Sequence, residues 1–209
     1  MANSEPPVVA AIIHDLAGML SNVAAFAGIL EARPDHPSRA EFLPVMAKEA
    51  RAAAEAVKDL QLARSLSEPW PRGDLQLVEV PRVLKQVAEH MGVPGWLDPQ
   101  IETLGGDALR ITVDDGVLSG LLARSLRVAA ADDLTAPSNL RVESDENGAV
   151  FSIDLSSTSY EGDVAADLPR GRRELRPLAL LCAVNDSWGG TSRVDANDDR
   201  ICLVLHLNY

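Results

Sequence analysis

The chain has 209 residues, of which 46% are apolar and 24% are charged, and its formal net charge is -12 at pH 7. This length and composition predict a globular protein with one large domain or two small ones. An acidic chain of this kind lacks the basic stripe that neutralises phosphates, so nucleic acid is not an expected partner.

The first predicted element is an apolar run over residues 8–30, interrupted once by the adjacent ionisable pair His14 and Asp15. No Lys or Arg precedes this run, so we expect neither a signal peptide nor a membrane span. Apolar residues recur there at alternating steps of three and four, as in a helix packed in a bundle: Val9, Ile12, Leu16, Met19, Val23, Phe26 and Leu30. Three further residues broaden this stripe, namely Ile13, Leu20 and Ala27. Arg33 and Pro34 predict the end of the helix.

His14 occupies the heptad position that points directly away from the apolar stripe, so we expect an exposed imidazole. Its neighbours on the helix are small or polar, which would let the backbone of another protein approach closely. We therefore predict a docking surface around His14 that consists of Ala10, Ala11, Ala17, Gly18, Ser21 and Asn22. The alternative is an ordinary surface histidine.

A second helix is predicted between Ser38 and Ser67, with Ser38 and Glu41 as a capping box and Pro44 favouring a start nearer residue 41. Its apolar stripe is expected to consist of Leu43, Met46, Ala50, Ala53, Val57 and Leu60. The two helices predict an antiparallel hairpin over residues 1–68. Because a hairpin cannot bury stripes this wide by itself, we expect a homodimer in which two hairpins form a four-helix bundle. The alternative is that both helices pack on the rest of the same chain.

A Pro- and Gly-rich linker over residues 67–74 separates the hairpin from a second domain, residues 74–209. There, strand patterns (75–80, 109–114 and a hairpin over 139–157) alternate with helical patterns (81–92, 114–133 and 172–190), and a last hairpin ends the chain. We expect a mixed sheet covered on one face by helices. Cys182 and Cys202 lie in apolar surroundings and are expected to be reduced core residues of a cytoplasmic protein, with a single disulfide as the alternative.

The segment HDLAGMLSNV, which starts at His14, resembles the phosphoacceptor segment of bacterial sensor histidine kinases and of the related histidine phosphotransferases. In that family, His-Asp or His-Glu lies on the first helix of a dimeric four-helix bundle. The order of elements after residue 74 is similar to the family's ATPase-type α/β domain. The resemblance implies an α+β fold, with a dimerisation and phosphoacceptor hairpin followed by an ATPase-like sandwich.

The kinase residues that bind nucleotide are replaced in this chain. Gly120 and Arg124 stand where kinases carry asparagines that ligate magnesium, and residues 157–159, Ser-Thr-Ser, stand where kinases carry Asp-x-Gly for adenine. Of the glycine-rich lid only Gly189 and Gly190 remain, and a helix C-cap explains this pair equally well. We therefore expect that the ATPase-like domain is degenerate and does not bind ATP.

The resemblance, together with these losses, implies a phosphotransferase that passes phosphoryl groups between response-regulator receiver domains. His14 would be the nucleophile, reacting through Nε2 as in the family, and Asp15 would hold the other ring proton or orient the ring. We expect no bound cofactor, with magnesium supplied by the receiver domain, and no membrane partner. The alternatives are a divergent ATP-dependent kinase and a non-enzymatic signalling scaffold.

Overall fold

The structure of the protein is a computed structural model that describes residues 7–65, 75–104, 109–130, 140–146, 148–155, 162–197 and 200–208. The chain divides into two compact units, Met1–Glu68 and Pro69–Tyr209. The first unit is helical, and the second combines strands with helices. This is an α+β architecture, as the sequence predicts.

The first unit is a helical hairpin of α1 (Pro7–Ala32) and α2 (Arg39–Ser65). The predicted stripe of α1 is confirmed, because each of its seven residues is buried or half-buried. Phe26, near the end of α1, packs on Phe42, near the start of α2, with 5.0 Å between the ring centroids. This contact is the one that an antiparallel pair joined by a short loop requires.

The predicted stripe of α2 is half wrong. Leu43, Ala50 and Val57 are exposed, whereas Met46, Ala53 and Leu60 lie toward α1. The residues that α2 turns inward also follow steps of three and four: Phe42, Met46, Glu49, Ala53, Ala56, Leu60 and Ala63. Both rows satisfy the same spacing, and the contact of the Phe42 ring with Phe26 fixes which of them faces α1.

The start of α2 also differs from the prediction, since the helix begins at Arg39 and includes Pro44. The carbonyl of Ser38 accepts hydrogen bonds from the N–H groups of Glu41 and Phe42, each at 3.0 Å. A capping box would have the Glu41 carboxylate accept from the Ser38 N–H. Instead, the Ser38 N–H donates to Nδ1 of His36 at 3.1 Å. Pro44 removes only one N–H donor, close to the helix start, and this loss does not stop the helix.

The second unit contains six strands and five helices among its described residues. In chain order these are β1 (Gln76–Glu79), α3 (Val80–Met91), α4 (Asp98–Thr103), β2 (Arg110–Val113), α5 (Asp115–Ala130), β3 (Leu140–Asp145), β4 (Gly148–Asp154), α6 (Val164–Asp167), α7 (Arg176–Ser187), β5 (Thr191–Asn197) and β6 (Arg200–Asn208). Only the short helices α4 and α6 were not predicted, because four to six residues are too few to show helical periodicity.

The prediction of a mixed sheet is wrong. The four-stranded sheet has the order β3-β4-β6-β5, β1 pairs only with β2 in a separate ladder, and every ladder among the described residues is antiparallel. β3 with β4, and β5 with β6, are local hairpins, which give antiparallel pairing directly. One face of the sheet is buried through alternate residues such as Phe151, Ile153 and Leu205, and α5 and α7 contact these strands.

Gly189 and Gly190 end α7, as the helix C-cap explanation predicts. Gly189 has a left-handed backbone (φ 87°). Its N–H donates to the carbonyl of Asp186 at 3.1 Å, and the N–H of Gly190 donates to the carbonyl of Asn185 at 3.0 Å. These two bonds are the Schellman pattern of a helix terminus. A side chain at position 190 would collide with Asn185 and with the carbonyl of His206, so close packing also requires glycine there.

Candidate functional site

His14 lies in the first third of α1, and its side chain is 89% exposed. The predicted exposure is therefore confirmed. The helix turns the stripe of Ile12 and Met19 inward, and residue 14 consequently projects away from α2. An imidazole in this position is accessible to a macromolecular partner from outside the hairpin.

Asp15 contacts the imidazole of His14 and is much less accessible, with 24% of its side chain exposed. Nδ1 of His14 and Oδ1 of Asp15 are 3.5 Å apart, at the outer limit of a hydrogen bond. A carboxylate accepts and does not donate, so this contact favours the tautomer with the proton on Nδ1. The lone pair then lies on Nε2, which is the atom available to a nucleophilic reaction.

The residues predicted to form the docking surface lie together around His14. Ala11 is half-buried, and five are exposed, namely Ala10, Ala17, Gly18, Ser21 and Asn22. A Cβ atom built on Gly18 would meet nothing within 4 Å, so the surface beside the imidazole is open. At steps of three and four residues from His14, this surface carries only alanine and glycine.

The other three histidines differ from His14 in exposure, in tautomer or in the residues around them. His36 accepts the Ser38 N–H through Nδ1, so its proton lies on Nε2, and its ring stacks on Phe42 with 5.2 Å between centroids. The His206 ring is half-buried, with Nε2 3.5 Å from Nη1 of Arg193. His90 is exposed at the end of α3, without a surface of small residues around it.

A second feature of the hairpin is a row of exposed apolar residues on each helix, spaced seven apart. On α1 these are Ile13, Leu20 and Ala27, and on α2 they are Leu43, Ala50 and Val57. Among the larger of these side chains, Leu20 is the most accessible, at 54%. Each of these residues directly follows one that faces the other helix, so it lies about 100° further around its own helix axis. Because the helices are antiparallel, this equal rotation places both rows on the same side of the hairpin. We call this set the apolar stripe pair.

No family model matches the sequence, and no curated protein matches it. Among solved structures, the histidine kinase AdeS of Acinetobacter baumannii is similar over 91% of this chain and 96% of its own, with a TM-score of 0.62 and 13% sequence identity. The fold is histidine-kinase-like. A bacterial phosphotransferase (12% identity, 96% and 94% coverage, TM-score 0.38) and full-length ShkA in complex with AMPPNP (17% identity, 98% and 46% coverage, TM-score 0.47) are more distant and add nothing to this conclusion.

Two of the positions at which we expect the nucleotide-binding residues of kinases to be replaced, 120 and 124, lie among the described residues. Gly120 and Arg124 lie on α5 and are half-buried, and residues 157–159 lie outside the described residues. Within the described ranges, no three His, Cys, Asp or Glu side chains are grouped so that they would hold a metal ion. We therefore assign no metal ligand among the described residues.

The two cysteines of the second unit are not joined in a disulfide, as expected, and both are half-buried. Burial, and to a lesser extent the charge of Asp186, raises the pKa of the Cys182 thiol to about 12. A thiol with so high a pKa is almost entirely protonated at neutral pH and is a poor nucleophile. Thiol chemistry at Cys182 is therefore not an alternative to reaction at His14.

Within the described part of the chain, α1 is long and apolar enough to cross a membrane, with a mean hydropathy of 1.6 over Val8–Ala32. Core helices of water-soluble proteins and signal sequences have the same length and composition, so this is weak evidence for a membrane span. Three of the exposed apolar residues that raise the hydropathy, Ile13, Leu20 and Ala27, belong to the apolar stripe pair.

Proposed function

We propose that this chain is a histidine phosphotransferase that relays phosphoryl groups between response-regulator receiver domains through a phosphohistidine at His14. The observation that carries the proposal is the exposed imidazole of His14 beside Asp15, on the first helix of a hairpin in a histidine-kinase-like fold. The side chains around this imidazole are small and exposed, which supports close docking of a folded partner.

The reaction is a displacement at phosphorus. The Nε2 lone pair of His14 attacks an aspartyl phosphate on the receiver domain, and the N–P bond forms as the P–O bond to the aspartate breaks. The electron pair of the broken bond leaves with the aspartate carboxylate. Magnesium would be held by the receiver's own carboxylates, where it would neutralise charge on the phosphoryl group. The second transfer is the reverse of the first, with a different receiver as acceptor.

Asp15 acts on the ring that reacts. When Nε2 forms a bond to phosphorus, the imidazole gains positive charge while Nδ1 keeps its proton. A carboxylate within 3.5 Å of Nδ1 offsets this charge and limits rotation of the ring. We propose Asp15 as the residue that orients His14 and stabilises the charged ring.

The apolar stripe pair supports a homodimer. A twofold axis across the hairpin would place both rows of one copy against both rows of the other, which gives a four-helix bundle with an apolar centre. His14 lies about 120° around α1 from the stripe, by the rotation of 100° per residue. It would therefore remain on the outside of the bundle, where two receivers have access to two phosphoacceptor sites.

The proposal does not require ATP, because Gly120 and Arg124 carry no carboxamide at the two positions where kinases ligate magnesium. ATP-independent relay and cytoplasmic location are parts of the proposal. A divergent kinase and a non-enzymatic scaffold differ from it in the source of the phosphoryl group and in the need for His14.

The test compares phosphoryl sources for the full-length protein and two variants. Wild type, His14→Ala and the exposed-histidine control His90→Ala are incubated with radiolabelled Mg-ATP, or with purified receiver domains of the same organism that have been labelled beforehand. We expect acid-labile label from a receiver on wild type and on His90→Ala, and none on His14→Ala. Label from ATP alone would identify a kinase, and no label from any source would identify a scaffold.

A further inference from the structure

The loop between α1 and α2 contains an imidazole that accepts a hydrogen bond from the backbone. His36 is half-buried in this loop, and its Nδ1 accepts the N–H of Ser38 at 3.1 Å. The carbonyl of His36 accepts the N–H of Arg39 at 3.0 Å, which closes a turn with Pro37 at its second position. Because Pro37 fixes the backbone between them, Nδ1 and the Ser38 N–H stay within reach of each other.

The bond from Ser38 to His36 lies directly before α2 and next to the contact between the two helices. The carbonyl of Ser38 accepts from the N–H groups of Glu41 and Phe42, so Ser38 precedes the first turn of the helix. The imidazole stacks on Phe42 with 5.2 Å between centroids, and Phe42 packs on Phe26 of α1 at 5.0 Å. One side chain therefore links the loop, the start of α2 and the helix interface.

This hydrogen bond requires a neutral imidazole. Nδ1 accepts only through its lone pair, and a proton that charges the ring takes that lone pair. In the charged ring both nitrogens donate, so Nδ1–H and the Ser38 N–H would point toward each other. The Ser38 N–H would lose its acceptor, and a positive charge would lie before the N-terminus of α2, where the helix dipole disfavours a cation.

The charged side chains near His36 in the chain have both signs and are all exposed. They come from the end of α1, from the loop and from the first turn of α2, namely Glu31, Arg33, Asp35, Arg39 and Glu41. Water and salt screen exposed charges, and the two arginines partly offset the three carboxylates. The hydrogen bond to Ser38 is therefore the specific contact that distinguishes the neutral ring from the charged one.

We infer that His36 is a pH-sensitive switch at the tip of the helical hairpin, closed while the imidazole is neutral and opened when it gains a proton. Opening occurs in the mildly acidic range in which histidine changes its charge. It releases the Ser38 N–H and the Phe42 ring from His36, and it loosens the aromatic contact that determines which row of α2 faces α1. The inference does not depend on the reaction of His14.

The experiment observes Ser38 by nuclear magnetic resonance in the full chain, from about pH 7.5 to about pH 5.5. The ¹⁵N shifts of the His36 ring report its tautomer and its charge. Hydrogen exchange of the Ser38 amide, relative to the rate for an unstructured chain at the same pH, reports how often its bond is open. A freely titrating histidine is about 90% protonated at about pH 5.5. We therefore expect the protection of the Ser38 amide in wild type to fall about tenfold over this range.

Two variants isolate the imidazole, and a third is the control. In His36→Asn the side-chain oxygen accepts from the N–H two residues later, as in an Asx turn, and does not titrate in this range. The protection of Ser38 in this variant should not change with pH. His36→Ala has no acceptor, so its protection at about pH 7.5 should already be that of wild type at the acidic end. His90→Asn replaces an exposed histidine outside the hairpin and should behave as wild type.

Three results would overturn the inference. If the His36 ring becomes charged while the protection of Ser38 stays constant, the hydrogen bond does not hold the loop closed. If the ring stays neutral down to about pH 5.5, His36 does not switch in the mildly acidic range. If His36→Asn loses protection as wild type does, groups other than the imidazole open the loop.

Discussion

Nδ1 of His14 lies 3.5 Å from Oδ1 of Asp15, although consecutive residues of a helix project about 100° apart. The imidazole therefore inclines along the helix surface toward the carboxylate. Asp15 is 24% exposed and His14 is 89% exposed, so the carboxylate is the more buried partner. If Asp15 positions the ring, as proposed, its removal should affect the rate of transfer more than the binding of the receiver.

We expect Asp15→Asn to slow phosphoryl transfer to His14 by about a hundredfold, a loss in the range for a group that assists proton and charge transfer. The amide oxygen still accepts from Nδ1 but has no negative charge to offset that of the ring. Rapid-quench measurements at saturating receiver give the rate, and a titration gives the affinity, which should not change. An equal rate for Asp15→Asn and wild type would show that Asp15 is only a solvated acid.

Gly18 and Gly28 offer a matched pair of substitutions on α1. Both are exposed, and a Cβ atom at either position would meet nothing within 4 Å, so alanine should stabilise the helix by about 1 kcal/mol in each case. Only Gly18 lies one turn from His14. We expect Gly18→Ala to weaken receiver binding severalfold and Gly28→Ala to leave it unchanged. Equal binding by both variants would exclude close backbone approach at Gly18.

The apolar stripe pair predicts that Leu20→Lys dissociates the dimer. Each copy contributes one Leu20, so the substitution removes two buried leucines, at about 1.5–3 kcal/mol each, and adds two charges. We expect the dissociation constant of the dimer to rise by at least about a hundredfold. Light scattering across a concentration series measures this dissociation constant. Leu77→Lys is the control, because Leu77 is an exposed leucine on β1, outside the hairpin. A monomeric wild type at all concentrations would contradict the proposed dimer.

The sequence predicts the first helix well and the second one poorly, for a physical reason. In α1 the larger apolar residues favour one row, and the heptad position of His14 follows from that row. In α2 two adjacent rows have equal spacing, and the choice between them depends on where the Phe42 ring meets Phe26. That contact joins residues of different helices and is not visible in the local pattern.

The same limit applies to the candidate site. The exposure of His14 and of its small neighbours depends on one helix and is predictable from its periodicity. The apolar stripe pair depends on the relative rotation of the two helices, so the exposed row of Leu43, Ala50 and Val57 is not distinguishable from a buried row in the sequence. The sheet is limited in the same way. That β1 pairs only with β2, and not with the four-stranded sheet, depends on packing and cannot be deduced from the composition of either strand.

Asp186, near the end of α7, gives a prediction on pH and stability. Burial raises the pKa of this carboxyl above its ordinary value of 3.8, while the hydrogen bond that Ser192 Oγ donates to it, at 2.9 Å, lowers the pKa in part. The folded state therefore holds a proton that the unfolded state releases. As pH rises from about 3.8 through the folded-state pKa, this group progressively lowers the free energy of unfolding.

Asp186→Asn should remove this pH-dependent loss, because the amide is neutral at every pH and its oxygen still accepts from Ser192. We expect the stability of Asp186→Asn relative to wild type to increase between about pH 4 and pH 7, measured as free energies of unfolding in urea. Ser192→Ala is the opposite control, since it removes the bond that favours the carboxylate and should steepen the loss. If the difference in free energy of unfolding between Asp186→Asn and wild type is constant with pH, Asp186 has the same pKa in the folded and unfolded chains. The hydrogen bond from Ser192 would then fully offset the effect of burial on that pKa.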